Sequence, residues 1–172
     1  MSKRFSLREY QENMLGRMKK ASAQSQIDAR LGVELGGRSW LIDLADTAEV
    51  LPVPVISSVP LAQGWLRGVA NVRGNLFSVV DLQAFMGEEA QILTALSRIL
   101  PIHPRILPHS ALLVERMLGI KHLADMVPQA QDTAAPGWRA ERYTDAGGRE
   151  WGALNIKLLA SEPAFLQTGI IA

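Results

Sequence analysis

Two hydrophobic patterns divide the chain near residue 28. Before that point, apolar residues recur at steps of three and four, the spacing of one face of an α-helix. Ser6 and Glu9 match a capping box, in which a hydroxyl and a carboxylate each accept a hydrogen bond from a helix-end N–H. The pattern predicts an amphipathic helix from Ser6 to about Ala23, followed by a polar linker over residues 22–26. Its apolar positions are Leu7, Tyr10, Met14, Leu15, Met18 and Ala21.

A helix with one apolar face leaves two placements open. It packs on its own domain, or it docks on a partner. We divide the chain accordingly into an N-terminal helix with its linker, residues 1–26, and a domain that follows, residues 27–172.

Beyond residue 28, short apolar or alternating runs are separated by Gly, Pro and Asn, which is typical of an all-β chain. Turn signals at Gly36-Gly37, Arg73-Gly74-Asn75 and Gly147-Gly148 predict three hairpins. Prolines in residues 51–54 and 100–108 favour edge strands, polyproline II or loop, and residues 94–100 are interpreted as a short helical turn. The predicted strands are residues 31–35, 39–44, 65–72, 76–80, 111–115, 139–144 and 150–154.

The chain also repeats itself. Residues 74–87 and 148–161 match in physical role: a turn glycine, a strand with an aromatic residue, then Asp81 or Asn155 as the cap of a short apolar helix. Residues 40–43 match residues 112–115 at nearly the same offset, since both are apolar strands that end in an acid. A duplicated unit predicts two small β-barrels packed in one body, with an end strand free to cross between them.

Composition excludes several kinds of site. The chain has no cysteine, so it has no disulfide, no Cys-ligated metal site and no thiol nucleophile. No stretch approaches the roughly 18 apolar residues of a membrane span, and the basic N-terminus runs into polar residues instead of a signal-peptide core. We therefore expect a cytoplasmic protein without direct membrane insertion. His103, His109 and His122 lack neighbouring acid pairs and are interpreted as loop residues, so no metal is predicted.

Catalytic motifs are also missing from the sequence. There is no phosphate-binding glycine loop and no nucleophile elbow. Asp43, Asp81 and Glu115 end separate predicted strands, and an enzyme would need two of them to converge in a pocket. We therefore expect no catalytic residues.

Charge argues against nucleic acid as the partner. The net charge of +1 combines +4 over residues 1–30 with −3 over the rest of the chain. Binding to a phosphate backbone needs clustered Lys and Arg on one face, which a negative β domain does not supply.

The segment from Gly64 to Leu82 resembles the signature of CheW, a family of chemotaxis coupling proteins. The family pattern is approximately G-V-x-N-[LV]-R-G-x-[VIL]-x-P-[VI]-x-D-L. Ser78 replaces the usual proline, and Gln83 replaces a common arginine. The resemblance covers roughly residues 29–161, and the added helix with the wording GVANVRGN is similar to the CheW-type adaptor of type IV pilus twitching motility. The matching residues are Gly68, Val69, Asn71, Val72, Arg73, Gly74, Leu76, Val79, Asp81 and Leu82.

This resemblance implies a CheW-like domain of two five-stranded SH3-like barrels, without catalytic activity or cofactor. Family members bind the regulatory domain of a CheA-type histidine kinase, and they bind the cytoplasmic tip of a methyl-accepting chemoreceptor. The chain is then an adaptor that is recruited to membrane-associated receptor arrays. The alternative is a small-barrel module that binds a peptide or RNA and is unrelated to chemosensing.

The resemblance also assigns partner-binding positions. Glu49, Gly68, Asn71 and Arg73 match such positions, and Thr47 stands where an apolar contact residue is usual. Three of these positions have a structural alternative: Arg73 pairs internally with Asp81 or Glu49, Asn71 supports a turn, and Gly68 serves a positive φ or a close backbone approach.

Overall fold

The computed structural model describes residues 7–169, and in helix α1 it describes the side chains at residues 8, 9 and 11–24. Within these residues lie four α-helices: α1 (Leu7–Ile27), α2 (Leu82–Phe85), α3 (Ile156–Leu159) and α4 (Pro163–Leu166). The strands are β1 (Ala29–Leu35), β2 (Arg38–Asp43), β3 (Leu51–Pro52), β4 (Ile56–Ser57), β5 (Leu66–Val72), β6 (Asn75–Asp81), β7 (Arg98–Pro101), β8 (Ser110–Val114), β9 (Arg116–His122), β10 (Val127–Pro128), β11 (Arg142–Thr144) and β12 (Glu150–Leu154).

The strands form two sheets, in the orders β4-β5-β6-β8-β7-β3 and β10-β11-β12-β2-β1-β9. Each sheet closes on itself, because its two outer strands are neighbours in the chain. β3 and β4 belong to one bent segment that pairs with β7 at one end and with β5 at the other. β9 and β10 do the same for the second sheet. The prediction of two SH3-like five-stranded barrels is confirmed, and we call the first sheet barrel 1 and the second barrel 2.

An early hairpin crosses into the later barrel, as the sequence allowed. β1 and β2 precede all strands of barrel 1 but pair with β9 and β12 of barrel 2. β2 is parallel to β12, as β8 is parallel to β6 in barrel 1. The order of strands is therefore the same in the two barrels, which supports the predicted duplication.

The register of the repeat differs from the predicted one. Ile42 lies opposite Leu154, and the corresponding pair in barrel 1 is Leu112 opposite Val80. Ile42 thus corresponds to Leu112, whereas the sequence match aligned Trp40 with Leu112. The alignment was wrong by two residues because side chains alternate with a period of two, so this shift preserves the pattern of buried faces.

Three apolar clusters hold the body together. Barrel 1 is filled around Val79 and Leu113, and barrel 2 around Leu41 and Trp151. The largest cluster lies between the barrels and takes the opposite faces of the same strands, for example Ile42 beside Leu41. These strands are buried on both faces, which explains their nearly continuous apolar sequences.

Helix α1 departs from the prediction at its C-terminal end. It continues to Ile27, so residues 22–26 are helical and not a linker. The run contains no Gly or Pro to end a helix, and the N–H of Asp28 still donates to the carbonyl of Gln24 at 3.0 Å. Every described side chain of α1 is exposed, so the described part of the apolar face, Met14, Leu15, Met18 and Ala21, does not pack on its own domain. The predicted cap at Ser6 lies outside the described residues.

The short strands β4 and β10 and the longer strands β7 and β9 were not among the predicted strands. The turn predicted at residues 94–100 is confined to residues 94–97, where the N–H of Ser97 donates to the carbonyl of Thr94 at 3.1 Å, and β7 occupies the rest. Pro101 is at the last position of β7, where its carbonyl accepts from the N–H of Ala48 at 2.9 Å. β9 follows β8 after Glu115 alone, so no turn signal marks its start. The strand predicted at 139–144 is shorter in the structure: Arg139 belongs to a 3₁₀ helix, Gly137–Arg139, and β11 begins only at Arg142.

Candidate functional site

The turn between β5 and β6 presents Arg73 at the end of barrel 1. Val72 pairs with Asn75, which leaves Arg73 and Gly74 as a two-residue turn with φ of 53° and 86°. Both central residues of such a turn need positive φ, which is unfavourable for an arginine. Asn71 stabilises the turn, since its Oδ1 accepts from the N–H of Gly74 at 2.9 Å. The Arg73 side chain is 71% exposed.

Glu49 reaches this turn from a second segment. Residues 47–52 run along β7, with Leu51 opposite Ile99. Nη1 of Arg73 lies 3.0 Å from the Glu49 carboxylate. An exposed ion pair of this kind contributes at most about 1 kcal/mol to stability, so a partner can replace either side at little cost.

Apolar side chains flank the ion pair. Val50 follows Glu49 and is 40% exposed, and Leu76, opposite Asn71 in the hairpin, is 62% exposed. We call this surface, made of Glu49, Val50, Asn71, Arg73 and Leu76, the rim. An exposed guanidinium and carboxylate between apolar residues suit a protein partner. The guanidinium of Arg73 can form two parallel hydrogen bonds to a carboxylate or to backbone carbonyls, and the apolar residues can pack beside it.

Gly68 lies inside the barrel and not on the rim. It is buried with a φ of 139°, next to a register shift in the pairing of β5 with β6. A Cβ at this position would lie 2.0 Å from the carbonyl oxygen of Ser57. Gly68 therefore permits the close approach of β4 to β5, which is the structural role that the sequence left open.

Thr47 is also buried, with 8% of its surface exposed. Its hydroxyl donates to the carbonyl of Leu44 at 3.4 Å, and its backbone bridges to Ile102. The prediction of Thr47 as a partner contact is therefore corrected: in this chain it offers almost no surface and positions the segment that carries Glu49.

Asp81 is fully buried and serves as a structural acceptor. Its carboxylate caps α2 through the N–H of Ala84 at 3.1 Å and accepts from the N–H of Gln91 at 2.7 Å. Nη1 of Arg67 lies 3.3 Å away, so Arg67 and not Arg73 is its ion-pair partner. Asn155 occupies the corresponding place in barrel 2, where its Oδ1 accepts from the N–H of Leu158 at 3.0 Å.

Gln91 was missed by sequence reasoning. Its buried side chain donates to Asp81 and to the carbonyl of Leu113, at 3.2 and 2.8 Å. These partners lie 10 and 22 residues away, and no local pattern in the sequence indicates such contacts.

Both departures from the family pattern have local partners. The N–H of Ser78 donates to the carbonyl of His109 at 2.8 Å, a bond that proline cannot make. Gln83 accepts from the N–H of Gly36 at 2.9 Å and donates to the carbonyl of Glu89 at 2.8 Å. These substitutions fasten neighbouring loops to barrel 1.

The acids considered for catalysis have separate partners. Asp43 accepts from the N–H of Ala45 at 2.9 Å, and Glu115 accepts from the N–H of Gly36 at 3.0 Å. Among residues 7–169, no hydrogen bond or ion pair joins any two of Asp43, Asp81 and Glu115. The described part of the chain also contains no group of three or more metal-ligating side chains.

Comparisons with known proteins agree on one family. The model of the CheW-like domain matches residues 30–162. Protein PilI of Pseudomonas aeruginosa is 33% identical over 145 residues, which cover 81% of this chain and 79% of that protein. The crystal structure of the scaffolding protein TtCheW from Thermoanaerobacter tengcongensis has a TM-score of 0.67 at 18% identity and covers 80% of this chain and 94% of that one. At that identity the likeness concerns the fold. None of the helices within residues 7–169 is long and apolar enough to span a bilayer.

Proposed function

This chain belongs to the CheW-like domain family, and we propose that it is a non-catalytic adaptor that couples a chemoreceptor to a CheA-type histidine kinase. The relative named PilI supports a pilus system, in which the adaptor would serve twitching motility. Its partners are the regulatory domain of the kinase and the cytoplasmic tip of a methyl-accepting chemoreceptor. The adaptor acts in the cytoplasm, at membrane-associated receptor arrays.

The observation that carries this proposal is the exposed Arg73 of the family signature, paired with Glu49 from the segment before β3. We assign direct partner contact to these two residues, with apolar contact from Val50 and Leu76. Asn71 holds the turn that presents Arg73, while Gly68 and Thr47 support the rim from within. Such an adaptor works by geometry, because several small interfaces together hold a kinase near receptor tips more firmly than any one of them.

Calorimetric titration of the full chain with a CheA-type kinase from the same organism tests the proposal. Arg73→Asp should abolish binding, while circular dichroism and melting stay native. The matched control is Arg149→Asp, because Arg149 lies in the corresponding hairpin turn of barrel 2 and should not affect this contact.

Two results would contradict parts of the proposal. Native binding by Arg73→Asp would remove Arg73 from the interface but leave the adaptor function. A wild-type chain that binds no CheA-type kinase, but shows a salt-dependent shift with an oligonucleotide, would favour the small-barrel RNA-binding module.

A further inference from the structure

Helix α1 exposes an apolar stripe. Met14, Leu15 and Met18 are 52%, 58% and 64% exposed. At about 100° per residue, Met14 and Leu15 lie within about 60° of Met18 on either side, so the three side chains form one face. Exposure of such a face to water is unfavourable, and exposed apolar patches mark interaction sites.

Positive charges border this stripe. Arg17 and Lys19 lie about 100° to either side of Met18, whereas Lys20 lies on the opposite face of the helix. No ion pair within residues 7–169 involves Arg17, Lys19 or Lys20. The complementary surface is therefore apolar with acidic borders.

The same chain carries such a surface in the loop between α2 and β7. Ile92, Leu93 and Leu96 are 85%, 43% and 58% exposed. The loop is held in place, because Gln91 is buried against Asp81 and the N–H of Thr94 donates to Oγ of Ser97 at 2.9 Å. Its apolar side chains are thus presented on an ordered support, which lowers the entropic cost of binding.

A groove of about 410 Å³ runs beside this loop, and we call it the Ile92 groove. Ile92 and Leu96 line it together with Glu34, Glu89 and Glu115. Glu34 pairs with Arg116, which also lines the groove, at 2.5 Å. Within residues 7–169, Glu89 and Glu115 have no ion-pair partner, so the groove keeps an acidic border.

The helix does not occupy the groove of its own chain. Only Asp28 separates α1 from β1, and β1 then carries the chain about 20 Å to the turn at Gly36. The N–H of Gly36 donates to Glu115, so the groove lies at the far end of β1 from the helix. The side chains of Met14, Leu15 and Met18 are exposed in this structure, so their contact must come from another molecule.

We propose that α1 of one copy docks in the Ile92 groove of a second copy. Met14, Leu15 and Met18 contact Ile92 and Leu96, and Arg17 and Lys19 face the acidic border. The contact is heterologous, so each added copy presents a new helix or groove, and the copies form open chains or closed rings. Three apolar side chains of the helix against two of the groove make a small interface, which belongs to the weak, transient class.

Complementation between two full-length variants tests this contact. Met18→Glu disables the helix face and keeps the groove, and Ile92→Glu disables the groove and keeps the helix face. Sedimentation velocity at low salt and rising concentration should show self-association of the wild-type chain and monomers for each variant alone. An equal mixture should form a heterodimer that does not grow further, because only one productive contact remains.

Controls separate this result from misfolding. Both substitutions are at exposed positions, so circular dichroism and melting should stay native. Asn13→Glu, on the opposite face of α1, and Ile120→Glu, at an exposed site of barrel 2, should associate like the wild-type chain.

Charge reversal tests whether the basic border of the helix faces the acidic border of the groove. Lys19→Glu should weaken association at least about tenfold, and combination with Glu89→Lys should restore it. Lys20→Glu changes the net charge equally on the opposite helix face and should have a clearly smaller effect.

Four outcomes would overturn the proposal. The first is a monomeric wild-type chain at every concentration. The second is a mixture of Met18→Glu and Ile92→Glu that stays monomeric. In the third, Ile92→Glu associates normally, which would indicate a helix–helix dimer. In the fourth, Met18→Glu associates normally, which would indicate contact between barrels.

Discussion

Arg67 Nη1 lies 3.3 Å from Asp81 Oδ2, and the carboxylate that it approaches is fully buried. Asp81 also holds the start of α2 and the backbone of Gln91. One carboxylate thus joins a strand, a helix and the loop that borders the Ile92 groove. In the family signature this residue is the aspartate before the last leucine. In the structure its carboxylate holds together three segments of barrel 1.

Removal of the Asp81 carboxylate should therefore destabilise the protein strongly. Asp81→Ala leaves the buried N–H of Gln91 without its acceptor and removes the carboxylate partner of Arg67, which keeps only the carbonyl of Gln91 at 2.8 Å. We expect a loss of about 3–5 kcal/mol in the free energy of unfolding. The measurement is urea unfolding at neutral pH. Asn155→Ala is the matched control, because Asn155 caps the corresponding helix of barrel 2 at an exposed position, and should cost about 1 kcal/mol. Equal losses would contradict the anchoring role of Asp81.

Gly68→Ala should cost about 3 kcal/mol or more, because the added Cβ meets the Ser57 carbonyl and the backbone has positive φ. Gly74→Ala is the control for φ alone: its φ is 86°, but no atom lies within 4 Å of the added Cβ. We expect a loss of about 1 kcal/mol there. Chemical unfolding of both variants separates backbone strain from steric contact, and similar losses would argue against the close approach.

Arg73→Gly should separate stability from binding. Glycine adopts the positive φ of this turn without penalty, so the free energy of unfolding should rise by roughly 1 kcal/mol after the loss of a weak surface ion pair. Binding of the CheA-type kinase should fall in the same variant. A thermal melt and a calorimetric titration measure the two effects, and a less stable protein would contradict the turn geometry.

Asp145 should make stability sensitive to acid. Hydrogen bonds from the indole of Trp151 and then from the backbone N–H of Arg149 lower the pKa of its carboxyl. A lowered folded pKa means that the stabilisation is present above the unfolded value, near about 4, and is lost as the pH falls through the folded value. Asp145→Asn should be less stable than wild type at neutral pH and equal to it in acid. A constant difference across melts at several pH values would contradict this.

Asp46 should change the pH dependence of stability in the opposite direction to Asp145. Burial and then the carboxylate of Asp43 raise the pKa of its carboxyl, although Lys157 lies 3.6 Å away and acts against them. The folded state then binds the proton more tightly, so stability falls as the pH rises from the unfolded pKa through the folded one. The free energy of unfolding of Asp46→Asn minus that of wild type should therefore increase with pH in that range. Melts at several pH values, as for Asp145→Asn, measure this difference. A difference that decreases with pH would contradict the prediction.

Turn residues in the sequence predicted the hairpins correctly where the turn itself requires those residues. Gly36 and Gly37 marked the first hairpin, and both have positive φ in it. The start of β9 escaped because Glu115 alone separates it from β8, where no turn residue was needed. The shift of the repeat by two residues escaped because a period-two pattern does not record absolute register.

The site was predictable in part. Arg73 and Glu49 were named through the family resemblance, and their ion pair was one of two alternatives that residue chemistry left open. Val50 and Leu76 were not distinguished, because exposure depends on the closure of the barrel. Thr47 and Gly68 proved to be buried, which only the path of the neighbouring strands decides.

The crossing hairpin sets an order of assembly. Barrel 1 consists of one continuous stretch from β3 to β8, whereas barrel 2 needs β1 and β2 together with β12, more than a hundred residues later. During synthesis, all strands of barrel 1 are translated before β12, the parallel partner of β2. Pairing between strands so far apart in the sequence is slow. A nascent chain stalled before β12 would display β2 as an open apolar edge, the feature that invites aggregation, so the last barrel strand to be translated also serves as the cover of the earliest hairpin.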